Sequence, residues 1–269
     1  MPVPDLATTP DTAGQSSSGL RYHIHGTVQQ TAIIELNPGQ TVYSDAGGMS
    51  WMSQTIDMNT HSGGGLGGMV KRAFSGATLF LIDFTAVGGA GQVAFASDFP
   101  GKIIAFDLNA GESMVMHKHA FVCAEKSVQL DITFTQKFGA GLVGGEGFIL
   151  QKVTGPGMVF TELDGDAVEY RLKPGETMRI EPGHVAMFEP SVQFSISRIK
   201  GITNMLFGGE GIFLGTLTGP GRIWLHSMTV HKMAHRIGES LPSGRTESKS
   251  VAGGIIGAIL GAIFGGRRD

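Results

Sequence analysis

Apolar and polar residues alternate over long stretches of the chain, with the period of two that is typical of half-buried β-strands. The clearest run is residues 128–134, which read Val-Gln-Leu-Asp-Ile-Thr-Phe, and a second run covers residues 194–197. Pro-Gly and Gly-Pro-Gly steps separate these runs, and the two residue types supply the fixed and the positive φ angles that turns require. The pattern predicts an all-β protein made of many short strands.

One stretch of sequence recurs three times along the chain. The turn motif Leu-x-x-Gly-Gln/Glu lies at residues 36–40, 108–112 and 172–176. The offset of 64 residues between the last two copies also carries residues 144–148 onto 208–212 and residues 154–157 onto 218–221. A repeat of this length buries too little apolar surface to be comfortable alone. We therefore expect three tandem β-sandwich-like repeats that pack around a pseudo-threefold axis and share one core.

The first copy is the least regular of the three. It precedes the second by 72 residues, contains a Gly-rich insertion at residues 62–68, and has Ala77 where the later copies have Glu146 and Glu210. Two carboxylates that converge on an axis could bind a cation or share a proton. Because Ala77 prevents a ring of three carboxylates, we expect both glutamates to accept backbone N–H bonds within turns.

The ends of the chain differ from the repeats. Val230, Met233, Ala234 and Ile237 have the i, i+3, i+4, i+7 spacing of a short amphipathic helix docked on a sheet. Residues 1–19 are small and polar, without the pattern of a secretory or mitochondrial targeting segment. The predicted divisions are a disordered tail at 1–19, one all-β domain at 20–238 (repeats at about 20–101, 102–167 and 168–226, and a helix at 227–238), a linker at 239–250 and an apolar tail at 251–269.

The apolar tail is rich in glycine with a regular spacing. Four of its glycines recur every fourth residue, at Gly253, Gly257, Gly261 and Gly265, and two arginines follow. Small residues at this spacing let helices approach closely in a membrane, and a basic end favours an anionic surface. The 16-residue apolar run at 251–266 is short for a membrane span of about 20 residues. The tail is interpreted as a membrane-contacting or self-associating helix, with a flexible Gly-rich tail as the alternative.

Composition narrows the function classes. The net charge of −3 argues against a general nucleic-acid-binding protein, which normally has a basic excess. The single cysteine, Cys123, excludes a disulfide framework and any site with several cysteine ligands. Cys123 lies in an apolar run and is expected to be a small buried residue, in a chain that folds in the cytosol.

Several of these motifs together resemble one known family. They are the threefold Leu-x-x-Gly-Gln/Glu turn, the Gly-Glu-Gly steps, the run Ala46–Met52 and the ending Gly219–Ser227. The chain is similar over roughly residues 20–238 to the altered inheritance of mitochondria protein 24 family. The resemblance implies an all-β fold like that of the tryptophan RNA-binding attenuator protein, repeated within the chain, and no known enzymatic activity. Members usually have a carboxylate at the position of Ala77 and Gln at the position of His226.

The strongest candidate for chemistry is a set of two histidines and a glutamate. His117, His119 and Glu125 resemble the first metal-binding motif of cupins, and alternate residues of a strand share one face. The spacing from His119 to Glu125 is longer than in cupins, and no second cupin motif lies in its proper frame. A solvated strand end is therefore the favoured interpretation, and a cupin-like metal-dependent enzyme is the alternative.

The remaining candidates are less specific. His23 and His25 have the same strand spacing, and His231 and His235 have the i, i+4 spacing of a two-ligand helix face. Trp51 and Trp224 are expected in the core or at an interface rather than at a ligand.

These observations predict a non-enzymatic structural or interaction protein without a cofactor. We expect a homo-oligomer, with a membrane surface or membrane protein as partner and no nucleic acid. The expected location is cytoplasmic, with peripheral attachment at the inner face of the membrane. A small-molecule sensor with a cleft between repeats is a third possibility.

Overall fold

The structure is a computed structural model, and it describes residues 12–61, 81–136, 147–198 and 213–240. Contacts divide the chain into two compact units, Met1–Lys232 and Met233–Asp269. The described part of the first unit is almost entirely antiparallel β-structure, which confirms the predicted class.

The described ranges contain twenty strands. The first eight are β1 (Thr12–Gln15), β2 (Arg21–His25), β3 (Thr31–Leu36), β4 (Thr41–Asp45), β5 (Trp51–Met52), β6 (Ile56–His61), β7 (Leu81–Ala86) and β8 (Gly91–Ala96). The next six are β9 (Gly101–Leu108), β10 (Ser113–His117), β11 (Phe121–Glu125), β12 (Gln129–Gln136), β13 (Phe148–Thr154) and β14 (Gly157–Asp164). The last six are β15 (Ala167–Leu172), β16 (Thr177–Ile180), β17 (Val185–Phe188), β18 (Gln193–Arg198), β19 (Phe213–Thr218) and β20 (Gly221–His226).

In the part of the chain that the structure describes, three helical elements accompany the strands. Short 3₁₀ helices at Lys118–Ala120 and Pro182–His184 precede β11 and β17. The helix α1 runs from Val230 to Ser240, where residues 227–238 were predicted. Its start is explained by Thr229, whose hydroxyl accepts a hydrogen bond from the backbone N–H of Lys232 at 3.3 Å, as a helix N-cap does. No described helix has the length and apolar character needed to cross a membrane.

The strands of β3–β8, β9–β14 and β15–β20 have the same pairing scheme, and we call them the first, second and third sets. In each set the first strand pairs with the sixth, the sixth with the third, the fourth with the fifth, and the fifth with the second. The turn between the first and second strands is also alike, because Gly39, Gly111 and Gly175 all have φ between +75° and +85°.

Consecutive sets are joined through shared sheets. One six-stranded sheet has the order β6-β7-β4-β11-β14-β9, so that strands of the first and second sets lie side by side. A second has the order β12-β13-β10-β17-β20-β15 and joins the second and third sets. We call the β4–β11 contact the first junction and the β10–β17 contact the second junction. The other two sheets are β1-β2-β3-β8-β5 and β16-β19-β18.

The hydrophobic core is divided into three clusters, whereas one shared core was expected. One cluster contains Phe84, Phe95 and Phe160 and lies mainly within the first set. Another contains Met116 and Met187 and centres on the second set. The third centres on the third set. Each cluster also takes in residues of a neighbouring set: the first includes Ile103 of β9 and Phe160 of β14, which share a six-stranded sheet with the first set.

The predicted disordered tail at residues 1–19 is wrong for the part that the structure describes. Residues 12–15 form β1, which pairs with β2. The following turn bonds to the second set, because the Ser17 backbone N–H donates to Asp107 Oδ2 at 2.6 Å. These polar residues are held in place by β2 and by Asp107 of the second set. The composition of the segment alone does not indicate those partners.

Candidate functional site

The predicted metal ligands His117, His119 and Glu125 lie close in sequence but have different surroundings. His117 ends β10, and its ring packs on Phe148 with centroids 4.9 Å apart and beside His119 at 5.2 Å. Burial lowers the pKa of His117 to about 3, which leaves a neutral imidazole at physiological pH. Protonation of the ring is disfavoured because the buried imidazolium would have no water around it.

Glu125 is bonded elsewhere. One of its carboxylate oxygens accepts hydrogen bonds from the hydroxyls of Ser16 and Ser18, at 2.6 Å and 2.7 Å. The side chain is buried and fixes the turn after β1 onto the second set. In the described ranges no group of three or more His, Cys, Asp or Glu side chains is arranged to hold a metal ion. The three candidate residues therefore form no metal centre there.

In the predicted pair His23 and His25, only His23 is seen to bond to a carboxylate. His23 Nε2 lies 2.8 Å from Glu35 Oε1, and Arg21 pairs with the other oxygen of Glu35 at 2.8 Å. The rings of His23 and His25 are 6.5 Å apart. Glu35 reaches His23 from β3, a neighbour that the spacing of the two histidines could not predict.

A network near the end of β20 contains two further histidines, His184 and His226. His226 Nε2 donates to the carbonyl of Gly183 at 2.7 Å, and its Nδ1 accepts from the backbone N–H of Asp164 at 3.3 Å. His184 Nδ1 donates to the His226 carbonyl at 2.7 Å, while its Nε2 accepts from Lys232 Nζ at 2.9 Å. All four ring nitrogens have partners, so that these imidazoles act as hydrogen-bond bridges.

His226 is a neutral bridge. Burial lowers its pKa to about 4, because a second N–H proton would carry an unsolvated charge. One donor and one acceptor are what the side-chain amide of Gln also offers. The geometry thus explains why the family to which the sequence is similar can have Gln at this position.

Glu162 has the equivalent position at the end of β14, 64 residues before His226. Its carboxylate accepts a hydrogen bond from the backbone N–H of Asp98, just as His226 accepts one from Asp164. Burial raises the pKa of Glu162 to about 7, and the nearby carboxylates of Asp164 and Asp98 add to that shift. We call Glu162 and His226 the latch residues, because each bonds its strand to the end of the preceding set.

The first set has no such group. By strand pairing, the equivalent of Glu162 and His226 is Ala96 in β8, and a methyl group cannot accept a hydrogen bond. The latches therefore accompany the two junctions inside the chain. The sequence hardly reveals these positions, because the three equivalent residues, Ala96, Glu162 and His226, have different chemistry.

The remaining candidates divide between core, surface and undescribed segments. Cys123 is fully buried, and burial raises the pKa of its thiol, so it is protonated at neutral pH. Trp224 is buried against Phe106, with centroids 5.7 Å apart, whereas Trp51 is 48% exposed in β5. Outside the described residues or side chains lie Ala77, Glu146, Glu210, His231, His235, Gly253, Gly257, Gly261 and Gly265.

Comparisons with known proteins give one family model and two similar bacterial proteins. The family model described as "Mitochondrial biogenesis AIM24" matches residues 22–228. The chain is 28% identical over 234 residues to an uncharacterized protein of Streptococcus pyogenes serotype M6, covering 83% of this chain and 92% of that protein. Its fold is similar to a crystal structure of a Streptococcus pyogenes protein, with a TM-score of 0.66 and 24% identity, covering 82% of this chain and 100% of that one.

Proposed function

The chain belongs to the family described as Mitochondrial biogenesis AIM24, and from this premise we propose that it is a non-enzymatic structural protein that self-assembles at a membrane surface. The observation that carries the proposal is the way in which consecutive sets share sheets. Backbone ladders at two junctions, not a pocket with convergent reactive groups, are the repeated feature of the described chain.

We treat the three sets as three copies of one structural unit. The support is the common pairing scheme and the equal turn geometry at Gly39, Gly111 and Gly175. A unit that joins the next one by strand pairing needs no new chemistry to join a further copy, because backbone N–H and C=O groups at a sheet edge bind any suitable strand.

The apolar tail at residues 251–269 supplies the proposed membrane contact. Gly253, Gly257, Gly261 and Gly265 would line one face of a helix, where small residues permit close helix packing. The following arginines would favour the anionic inner face of a membrane. The attachment is peripheral in this proposal, since the apolar run of 16 residues is shorter than a span requires.

The cupin-like alternative finds no supporting contact among the described residues. His117 is packed on an aromatic ring, and Glu125 accepts two serine hydroxyls. We therefore carry one functional proposal forward.

Sizing and fractionation of the full chain and of a chain ending at Ser250 test the proposal. We expect the full chain to be an oligomer that sediments with anionic vesicles, and the shortened chain to keep its oligomeric size but to lose the vesicles. Neutral vesicles are the control for electrostatic attachment. A full chain that stays monomeric at every concentration and does not sediment with vesicles would contradict the proposal.

A further inference from the structure

Two strands equivalent to the junction strands have an outer edge that pairs with no other described strand. β16 is the outermost strand of the sheet β16-β19-β18, and β5 is the outermost strand of the sheet β1-β2-β3-β8-β5. Within the described ranges, β16 pairs only with β19 and β5 pairs only with β8. β16 is the second strand of the third set, and β5 is the third strand of the first set. These are the two strand types that meet at each junction.

The two junctions have the same register. At the second junction Val115 lies opposite Phe188, and Met116 lies opposite Met187. At the first junction Tyr43 lies opposite Ala124, and Ser44 lies opposite Cys123. Tyr43 is equivalent to Val115, and Ala124 to Phe188, because each has the same place in the pairing scheme of its own set. One rule therefore fixes which residues meet.

The same rule can be applied to the free edges. Arg179 has the place of Val115 in β16, and Ile180 has the place of Met116. In β5, Trp51 has the place of Met187, since each lies opposite an equivalent residue in the sixth strand of its set. A third junction in this register would place Arg179 opposite Met52, and Ile180 opposite Trp51.

Burial distinguishes the edges from the junctions. Val115, Met116, Met187 and Phe188 are all buried, with exposed fractions of 8% or less. Two of their four equivalents are exposed, because Trp51 is 48% exposed and Arg179 is also exposed, whereas Met52 is partly buried and Ile180 is buried at 9%. An exposed tryptophan beside an unpaired edge is a common feature of interfaces.

We propose that β5 of one copy of the chain pairs with β16 of a second copy, so that copies join head to tail by a third junction. The proposal rests on the self-assembly proposed above and names the surface that performs it. A contact between two different edges is heterologous, and repeated copies then form a closed ring or an open filament according to the rotation between them.

Cysteine cross-linking in the full chain tests the pairing. Directly opposed residues of antiparallel strands have Cα atoms about 4.5–5.5 Å apart, within the range that a disulfide spans. We expect a mixture of a Met52→Cys chain and an Arg179→Cys chain to form a disulfide-linked dimer under mild oxidation. Neither chain alone should form it, because each then offers only one of the two thiols. The native Cys123 is buried, so the unmodified chain is the background control.

A second pair controls for random collision. Thr177 is exposed on β16 two residues from Arg179, and a diagonal neighbour lies about 7–8 Å away. A mixture of Met52→Cys and Thr177→Cys chains should therefore form several-fold less dimer than the opposed pair. Equal yields from the two mixtures would overturn the proposed register.

Other outcomes separate this proposal from the preceding one. A chain with both Met52→Cys and Arg179→Cys that forms only an internal disulfide would show that the edges close within one molecule, which overturns the head-to-tail contact. A single variant that cross-links to itself would instead indicate like-with-like pairing, which also overturns it. If the unmodified chain is an oligomer but the mixture of Met52→Cys and Arg179→Cys chains forms no cross-link, only the proposed pairing of β5 with β16 is refuted. A chain that is monomeric at every concentration refutes self-assembly itself.

Discussion

The two junctions and the two edge strands β5 and β16 are built from equivalent strands, yet Trp51 and Arg179 are exposed at the edges where their junction equivalents are buried. At the second junction Met187 is 0% exposed, whereas Trp51, its equivalent in β5, is 48% exposed. At this position the free edge has the larger side chain. Its exposure thus follows from the absence of a described neighbouring set, and not from a smaller side chain.

The latch residues follow the same division. Glu162 accompanies the first junction and His226 the second, while Ala96 has the equivalent place in the first set, which has no preceding set in the chain. Both latch residues accept a hydrogen bond from a backbone N–H group. The carboxyl group of Glu162 becomes negative when it loses a proton, whereas the imidazole of His226 becomes positive when it gains one. One position can therefore serve one structural purpose with two different responses to pH.

The largest expected effect comes from removing a junction side chain. Met187→Ala should lower the free energy of unfolding by about 2–5 kcal/mol, because it deletes a fully buried side chain and leaves a cavity. Met52→Ala, at the free edge, should cost less in a dilute sample, because Met52 is only partly buried against the core. Chemical denaturation of both variants at low concentration measures the difference. Equal costs would contradict the distinction between junction and edge.

The sequence predicts the all-β class and the repeated turns but not the register in which strands meet at the junctions. Alternation at residues 128–134 and the repeated Leu-x-x-Gly turns are local signals, and they identified the all-β class. The register of Tyr43 opposite Ala124 depends on backbone pairing between strands some 80 residues apart. No periodicity within either strand contains that information.

The candidate site shows the same limit. The spacing of His117, His119 and Glu125 suggested a metal motif, but the partners of Glu125 are hydroxyls 107 and 109 residues away. Likewise the acceptor role of His226 depends on Asp164, 62 residues earlier. Such partners become visible only when the sheets are assembled. The one helpful signal was the repeat itself, which relates His226 to Glu162.

The second latch gives a pH-dependent effect. The fold lowers the pKa of His226 from 6.5 to about 4. Between these two pH values the imidazole is protonated in the unfolded chain but neutral in the folded chain. Its contribution to stability is complete above pH 6.5 and is lost as the pH falls towards 4, by about 3 kcal/mol at most. His226→Gln keeps both hydrogen bonds and removes the titration. Relative to that variant, the native chain should lose stability between pH 6.5 and 4 in denaturant titrations.

The carboxyl group of Asp164, which lies beside His226, also titrates in this pH range. Asp164 Oδ2 lies 3.8 Å from its Nδ1, and the pKa of Asp164 is raised to about 6 by burial. The carboxyl is present in both chains, which limits its effect on the difference between them. A native chain and a His226→Gln chain with parallel pH profiles would show that the ring is not held neutral by the fold.

The first latch should respond in the opposite direction. The pKa of Glu162 is raised to about 7, mainly by burial, so the folded chain keeps a proton that the unfolded chain releases above about pH 4.5. Its contribution is present at low pH and is lost as the pH rises from 4.5 to 7. Relative to Glu162→Gln, the native chain should therefore lose stability on alkalinisation over this window. Solvent near this partly exposed side chain makes the change smaller than that of His226.

The smallest effect on stability is expected at the free edge, where the effect on association should be large. Trp51→Glu and Val87→Glu both place a charge at an exposed apolar position, since Val87 is 64% exposed. Each should change the free energy of unfolding of a dilute sample by about 0.5 kcal/mol or less. Only Trp51→Glu introduces an unpaired charge at the proposed third junction, so it alone should shift the oligomer to smaller species in analytical ultracentrifugation. If Val87→Glu dissociates the oligomer and Trp51→Glu does not, the edge of β5 is not the surface that joins copies.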